Sequence, residues 1–188
     1  MSRDVALREF VIPFIGLKLG ETSFEFEIED KFFTYFEGSE PITGSDVEVE
    51  MVLDKRTSMM VLTFYVEGTI KATCDRCLNE IDQELLDEFT VYVKFSQDAD
   101  GMDDEEDVIF LQPNETHLDV AHLVYEFVIL SIPLQKGCKV EEIGGPQCNK
   151  VVLEKLGYFS KDDTDENKGD DNNDDDIDQR WSALKKLK

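Results

Sequence analysis

Residues that carry enzyme chemistry are scarce in this sequence. Its 188 residues include only two histidines and four cysteines, and they contain no HExxH pattern, no GxSxG pattern and no glycine-rich phosphate loop. A nucleophilic triad or a nucleotide-hydrolysing site therefore lacks its parts. These absences predict a protein that is not an enzyme.

Long apolar runs are also missing. No stretch approaches the roughly 20 apolar residues that a membrane helix needs. The apolar run from Phe10 to Leu17 is interrupted by Pro13, and no small-residue cleavage site follows it, so no signal peptide is predicted. We therefore expect a cytoplasmic protein with no membrane partner, whose cysteines are kept reduced and form no structural disulfide.

Basic residues are few relative to acids. Lys and Arg number 19 against 43 Asp and Glu, which gives a formal net charge of −24. Much of the excess lies in two segments, Asp98–Asp107 with 7 acids and Lys161–Asp178 with 10. Without those acids and the 2 lysines among them, the remainder holds 26 acids and 17 bases, a net charge of −9. Both segments have the composition of disordered chain.

Alternation of apolar and polar residues predicts a β-rich body. Phe24, Phe26 and Ile28 alternate with glutamates, which is the period of a half-buried strand. The strands predicted in this way are 22–29, 47–53, 62–72 and 89–95, with a turn at Asp54–Thr57, a further edge strand over 8–17 and a short helix over 30–36. Short connections favour antiparallel pairing. We expect an α+β fold, either a mainly antiparallel sheet or a partly open barrel, with one core-packing helix.

That helix is predicted after Thr116 and before Pro133. Thr116 and Asp119 resemble a capping box, and Pro133 forbids continuation. Apolar residues follow at helical spacing: Val120, Leu123, Val124, Phe127 and Leu130. His122 and Glu126 stand four residues apart, a spacing that two metal ligands could share and that an ordinary polar helix face shows as well.

The C-terminal end divides into two parts. Residues 1–159 form the predicted β-rich domain, 160–178 a disordered acidic linker, and 179–188 a short amphipathic helix. Trp181, Leu184 and Leu187 lie on one side of this helix, and it is basic through Arg180, Lys185, Lys186 and Lys188. So short a helix is not stable alone, and it needs a docking surface on its own body or on a partner. The acidic linker can attract basic partners.

The four cysteines fall in two pairs. Cys74 and Cys77 form a CxxC motif, and Cys138 and Cys148 follow about sixty residues later. Four thiolates can hold one tetrahedral zinc, although nine residues separate the second pair where a zinc ribbon has two to four. A redox role is disfavoured because the motif ends a strand-like run and holds Asp75, whose charge disfavours a thiolate. One structural zinc and a set of reduced structural thiols both remain open, as does whether the pairs meet.

Basic residues near the cysteines are candidate contacts for RNA or a partner. Arg76 lies between two turn-forming cysteines and is expected to project outward. Lys136, Lys139, Lys150 and Lys155 surround the second pair. They form either a local basic patch, which RNA binding by so acidic a chain would require, or an ordinary solvated surface.

The order of these motifs resembles the YceD family, the large ribosomal RNA subunit accumulation proteins. The likeness is carried by CDRCL, an acidic gap, LDVAHLVYEFVILSIPLQKGC, a later cysteine and a closing QRWSALKKL. The matching residues are Cys74, Arg76, Cys77, Leu78, Asp119, Glu126, Leu130, Pro133, Cys138, Leu184 and Leu187. The acidic insertion and the long loop between Cys138 and Cys148 depart from the family pattern. The resemblance implies a bacterial cytoplasmic factor that supports synthesis, processing or stability of the large-subunit (23S) ribosomal RNA, without a catalytic residue.

Three functional hypotheses follow. The first is a non-enzymatic assembly factor that contacts basic ribosomal proteins through its acidic segments. The second is a zinc-stabilised module that presents Arg76 and nearby lysines to the phosphates of a large-subunit RNA precursor. The third is a zinc hydrolase in which His122 or Glu126 completes an open metal site. No small-molecule substrate is evident, and the sequence leaves the oligomeric state open.

Overall fold

The computed structural model describes residues 7–36, 42–96, 107–138, 145 and 148–157. The acidic run that begins at Asp98, except for Asp107, lies outside the described residues. So do Lys139, the predicted linker 160–178 and the terminal helix 179–188 with its Trp181, Leu184 and Leu187. No helix in the described part of the chain is long and apolar enough to cross a membrane.

A five-stranded sheet is the main element of the fold. The strands are β1 (Val11–Ile12), β2 (Gly20–Glu29), β3 (Thr43–Lys55), β4 (Met59–Thr73), β5 (Glu80–Phe95), β6 (Val108–Leu111) and β7 (Leu118–Asp119). The helices are α1 (Asp30–Phe33), α2 (Ala121–Leu130) and α3 (Lys150–Lys155). The sheet order is β2-β3-β4-β5-β6, with β2 to β5 antiparallel and β6 parallel to β5. Within the described chain β2 and β6 are its two edges, so this sheet is open and not a closed barrel.

The predicted alternation is confirmed in β2, β3 and β4. Phe26 and Ile28 of β2 are buried, whereas Glu25, Glu27 and Glu29, which alternate with them, are exposed. The inward side chains of β3 and β4 form the centre of the core: Val49, Met51, Leu53, Leu62, Phe64 and Val66. The β4–β5 hairpin is longer than predicted, because paired residues extend from Met59–Lys94 to Thr73–Glu80. Strand β6 was not predicted.

Helix α2 packs on the inward face of the sheet through Phe127. The Phe127 ring stacks on Phe89 with ring centroids 4.5 Å apart, and its centroid lies 5.0 Å from that of Phe64 on the neighbouring strand. Ring pairs of this kind add about 0.5–1.5 kcal/mol to the area that they bury. The prediction of one core-packing helix is confirmed.

The helix differs from the sequence prediction at both ends. The capping box was wrong: the helix begins at Ala121, whose N–H donates to Asp119 Oδ1 at 2.9 Å, and the Thr116 hydroxyl pairs with His117 Nδ1 instead. Leu130, predicted to pack in the core, is 65% exposed. The buried stripe of α2 runs through Ala121, Val124, Phe127 and Val128, and Leu130 lies on the other side of the helix.

The N-terminal segment is not the edge strand that the sequence predicted. Residues 8–10 and 14–16 form 3₁₀ turns, and β1 between them pairs with β7 and not with the main sheet. Pro13, which follows β1, cannot donate to a ladder. Lys55 holds this segment on the sheet, because its Nζ donates to the carbonyls of Phe14 at 2.8 Å and Leu17 at 2.9 Å.

Replacement of Phe127 by Ala should strongly destabilise the fold, because it removes the ring that joins α2 to β4 and β5. We expect a loss of about 3–5 kcal/mol in the free energy of unfolding, the usual range for a buried Phe. Leu130→Ala on the same helix is the control, and it should cost less than about 0.5 kcal/mol because Leu130 is exposed. Denaturant unfolding of both variants measures the difference, and equal losses would contradict this packing.

Candidate metal centre

The first cysteine pair lies in the tight connection between β4 and β5. Cys74 directly follows β4, and β5 begins three residues after Cys77. Two backbone hydrogen bonds close the turn, from Cys74 N to Asn79 O and from Leu78 N to Cys74 O, each 2.9 Å. Leu78 adopts a left-handed backbone with φ of 58°, an uncommon conformation for a non-glycine residue. The turn places both thiols inside the protein.

The second pair comes from the chain on either side of the long loop. Cys138 ends the described stretch that follows α2, and Cys148 stands two residues before α3. Asn149 caps α3 by accepting from Val152 N at 3.4 Å, and α3 places the buried Leu153 against the cysteines. Cys74, Cys77, Cys138, Cys148 and Leu153 form one buried cluster, separate from the main core. The two pairs therefore meet in space.

Asp75 joins the two parts of the site. Its N–H donates to Lys136 O at 2.8 Å, and its carboxylate Oδ2 accepts from Lys136 N at 2.7 Å. This reciprocal pair fixes the segment that ends at Cys138 against the CxxC turn. This role of Asp75 was not predicted from the sequence, although a short Asp side chain in a turn is suited to accepting backbone N–H groups.

The sulfur atoms are close enough to share one metal ion. The Sγ atoms of Cys74, Cys77 and Cys138 all lie within 4.8 Å of one another, and those of Cys77 and Cys138 are 3.4 Å apart. A tetrahedral zinc with bonds of about 2.3 Å separates its sulfur ligands by about 3.8 Å, which lies within this range. A disulfide would need about 2.05 Å. Cys148 is buried in the same cluster as these three cysteines.

Backbone N–H groups favour a thiolate at Cys74. Burial by itself raises the pKa of this thiol, but the N–H groups of Cys77, Arg76 and Cys138 bond to the sulfur and lower its pKa to about 6. The expectation that Asp75 keeps thiolates away was therefore wrong for Cys74. Burial, together with hydrogen bonds to the other three cysteines, raises the pKa of Cys138 to about 12. The pKa of Cys74 and the pKa of Cys138 thus shift in opposite directions.

A redox role still does not fit this thiolate. Both Cys74 and Cys77 are fully buried, and thiol–disulfide exchange needs an attacking thiol that a partner disulfide can reach. The arrangement can bind a thiophilic metal or pack as reduced thiols.

The residues predicted to contact a partner lie around the cluster. Arg76 is only half exposed, contrary to the outward orientation expected, and its Nε is shielded with no hydrogen-bond partner among the described residues. The reason is that the turn is pinned on both sides, by the hairpin and by Lys136. Lys150 and Lys155 on α3 are exposed, as is Leu78 at 63%.

His122 and Glu126 pair with each other on the exposed face of α2. His122 Nε2 lies 3.2 Å from Glu126 Oε1. Within the described part of the chain, the three cysteines are the only group of His, Cys, Asp and Glu close enough to hold a metal. The structure thus favours an ordinary polar helix face over an open zinc site here. Of the remaining motif residues, Asp119 accepts at the start of α2 and Pro133 follows its end.

Comparison with known families decides the relationship. The family model described as "Large ribosomal RNA subunit accumulation protein YceD" matches residues 62–188, more than half of the chain and including all four cysteines. The chain belongs to the YceD family. Searches of the curated proteins and of the solved structures found no significant match. The YceD match begins within β4 and therefore covers the whole cysteine cluster, helix α2 and the C-terminal segment.

The thiolate of Cys74 makes the stability of the metal-free protein depend on pH. A thiol with a lowered pKa in the folded state stabilises that state above its ordinary pKa of 9.0, and this contribution is lost as the pH falls toward 6. The raised pKa of Cys138 acts oppositely, because it lowers stability as the pH rises from 9 toward 12. We therefore expect the free energy of unfolding in chelator to increase between pH 6 and 9.

Denaturant unfolding at several pH values measures this increase. Cys74→Ser should remove it, and Cys77→Ser, which keeps the Cys74 sulfur, is the matched control. Equal pH dependence in Cys74→Ser and the wild type would contradict the assignment of the thiolate.

Proposed function

We propose that this chain is a non-enzymatic factor of bacterial ribosome biogenesis that supports synthesis, processing or stability of the 23S ribosomal RNA in the cytoplasm. Membership of the YceD family is the observation that carries this proposal. Its non-enzymatic character is supported by the chemistry of the cysteine cluster, whose donors are sulfur atoms buried on all sides. If all four cysteine sulfurs bind one metal, they close its coordination shell and leave no position for substrate.

We further propose that Cys74, Cys77, Cys138 and Cys148 hold one structural zinc. The donor set fits this ion, because zinc takes four thiolates in structural sites and three of the four sulfurs, those of Cys74, Cys77 and Cys138, already lie within 4.8 Å of one another. Backbone N–H groups around the Cys74 sulfur lower its pKa, and the thiolate is the form that binds a metal. Bound zinc would lock the β4–β5 turn to α3.

Protein contacts are the favoured mode of action. A chain of net charge −24 is repelled by RNA phosphates. The same charge attracts basic proteins, and ribosomal proteins of the large subunit are the partners that this charge and the family suggest. The acidic segments around 98–107 and 160–178 supply much of that charge.

A zinc-stabilised RNA-binding module is the second candidate, and one observation favours it. The half-buried Arg76 has a shielded Nε without a partner among the described residues, and exposed Lys150 and Lys155 lie on α3, which packs against the same cluster. Phosphate oxygens would accept from the exposed Lys150 and Lys155, whereas the shielded Nε of Arg76 is out of their reach. Lys139, which lies outside the described residues, is a further candidate contact.

The zinc proposal predicts about one zinc per chain in purified protein, measured by elemental analysis. Cys74→Ser and Cys138→Ser should remove the metal and lower the melting temperature, because a metal that binds only the folded state stabilises that state. Ser131→Ala, a buried position outside the cluster, should retain zinc. Metal-free wild-type protein whose stability does not change in chelator would favour reduced structural thiols instead.

The functional proposal is tested by purifying tagged full-length protein from its own cells. Proteins and RNA of large-subunit precursors should co-purify, and depletion of the chain should reduce 23S relative to 16S ribosomal RNA. Association that survives ribonuclease supports contacts with proteins, and association lost on that treatment supports the RNA-binding module. An unchanged ratio of the two ribosomal RNAs after depletion would contradict the functional proposal.

If Arg76 contacts RNA or an acidic partner, Arg76→Glu should weaken that association without unfolding the domain, because it reverses the charge at the contact. Lys18→Glu, the same charge change at an exposed N-terminal position, is the control and should bind normally. A large loss of melting temperature in Arg76→Glu would mean that Arg76 has a structural role.

A further inference from the structure

One face of the sheet carries a dense array of acids. We call it the acidic face, and it consists of outward side chains in three cross-strand rows of β2 to β5. The rows are Glu25–Glu50–Tyr65–Glu88, Glu27–Glu48–Glu67–Leu86 and Glu29–Asp46–Thr69–Glu84. Nine of these twelve positions are Asp or Glu, and none is Lys or Arg. The face lies opposite the side that packs on α2.

Several of these acids repel each other directly. Glu48 lies opposite Glu27 on one neighbouring strand and opposite Glu67 on the other. Like charges in directly opposed positions destabilise a sheet. A cationic segment bound on this face would remove that repulsion as well as gain its own attraction.

The acidic face also has an apolar centre. Leu86 is 77% exposed and Tyr65 is 42% exposed, and they lie diagonally across β4 and β5. Both border a shallow groove of about 540 Å³, whose lining also includes Glu67 and Glu88. A ligand that fits here carries positive charge together with apolar side chains.

The chain itself contains a segment of this chemistry. Residues 179–188 hold four bases and no acid, and their apolar residues Trp181, Leu184 and Leu187 recur every three positions. The acidic stretch before this segment can compete for its charge, but it offers almost no apolar surface. The acidic face supplies both.

The connection is long enough for the segment to reach the face. Residues 158–178 separate the end of the described chain at Gly157 from Gln179. Extended chain spans about 3.3–3.6 Å per residue, so this stretch covers distances up to roughly 70 Å. A covalent connection of this length gives an effective concentration near the millimolar range, at which a small interface is well occupied.

We propose that residues 179–188 dock on the acidic face of their own chain, with Trp181, Leu184 and Leu187 against Leu86 and Tyr65 and the bases among the surrounding glutamates. The sequence leaves open whether this segment docks on its own chain or on a partner. Here it docks on its own chain. The contact lies within one chain and does not depend on the proposed function.

Trp181 reports this contact directly, because it is the only tryptophan in the chain. Its fluorescence in the folded full-length protein should lie at shorter wavelength than that of a free peptide of residues 179–188. The double variant Glu48→Lys/Glu67→Lys and the single variant Leu86→Ser should each shift the emission to that of the free peptide. High salt should produce a partial shift, because it screens only the charged part of the contact.

Two controls make the result decisive. Glu126→Lys/Glu154→Lys changes the charge equally at exposed positions on α2 and α3, and it should leave the emission unchanged. Leu187→Asp changes the terminal segment and leaves the sheet untouched, and it should expose Trp181 as fully as the sheet variants do. This variant therefore tests the contact even if a sheet variant misfolds. Circular dichroism checks the fold of each variant.

Three outcomes would overturn the proposal. One is wild-type emission equal to that of the free peptide. Another is shielded emission that neither sheet variant alters, since the segment would then dock elsewhere. The third is emission that depends on protein concentration, since the segment would then occupy a second copy of the chain. Each measurement uses purified protein alone, so its failure is distinct from failure of the ribosomal proposal.

Discussion

The contact of Phe127 with Phe64 and Phe89 determines where the second half of this chain lies. It fixes α2 on the inward face of the β4–β5 hairpin. Helix α2 ends at Leu130, and Lys136 follows six residues later. The position of the helix therefore brings Lys136 to Asp75, which lies at the turn end of the same hairpin. Cys138 then lies beside Cys77. The position of the cysteine cluster therefore depends on an aromatic contact in the main core, although the two clusters do not pack against each other.

Much of the sheet could be predicted because its central strands have one apolar and one polar face. The alternation of apolar and polar residues fails to predict a strand where an outward position is also apolar or where the residues are only half-buried. The first half of β5, from Glu80 to Glu88, has Leu85 inward but Leu86 outward among charged residues, so its alternation is hidden. Strand β6 has four residues that are mostly half-buried at a parallel edge, and nothing local marks it. The predicted start of α2 was wrong because Asp119 caps the helix alone, by accepting from Ala121 N. It does not take part in a reciprocal capping box with a residue three positions away.

The sequence indicates which cysteines could form the site, but it does not show how the two pairs come together. Spacing identifies Cys74 and Cys77, since two thiols in one turn converge wherever the turn lies. The meeting with Cys138 and Cys148 depends on the Asp75–Lys136 hydrogen bonds and on α3, which are long-range contacts. The lowered pKa of Cys74 depends on where backbone N–H groups point. Leu78 in the same turn has a left-handed backbone, which no sequence pattern indicates.

Strand β2 forms one edge of the described sheet, and an edge exposes unpaired backbone groups that another strand can join. Here the strand presents Glu25, Glu27 and Glu29 along its outward side. A second copy that added its own β2 would bring another glutamate row within about 4.8 Å. The negative charge along β2 thus opposes fibre-like growth of the sheet at this edge. Such protection weakens as ionic strength rises, so the tolerance of this protein to crowding and storage depends on the salt around it.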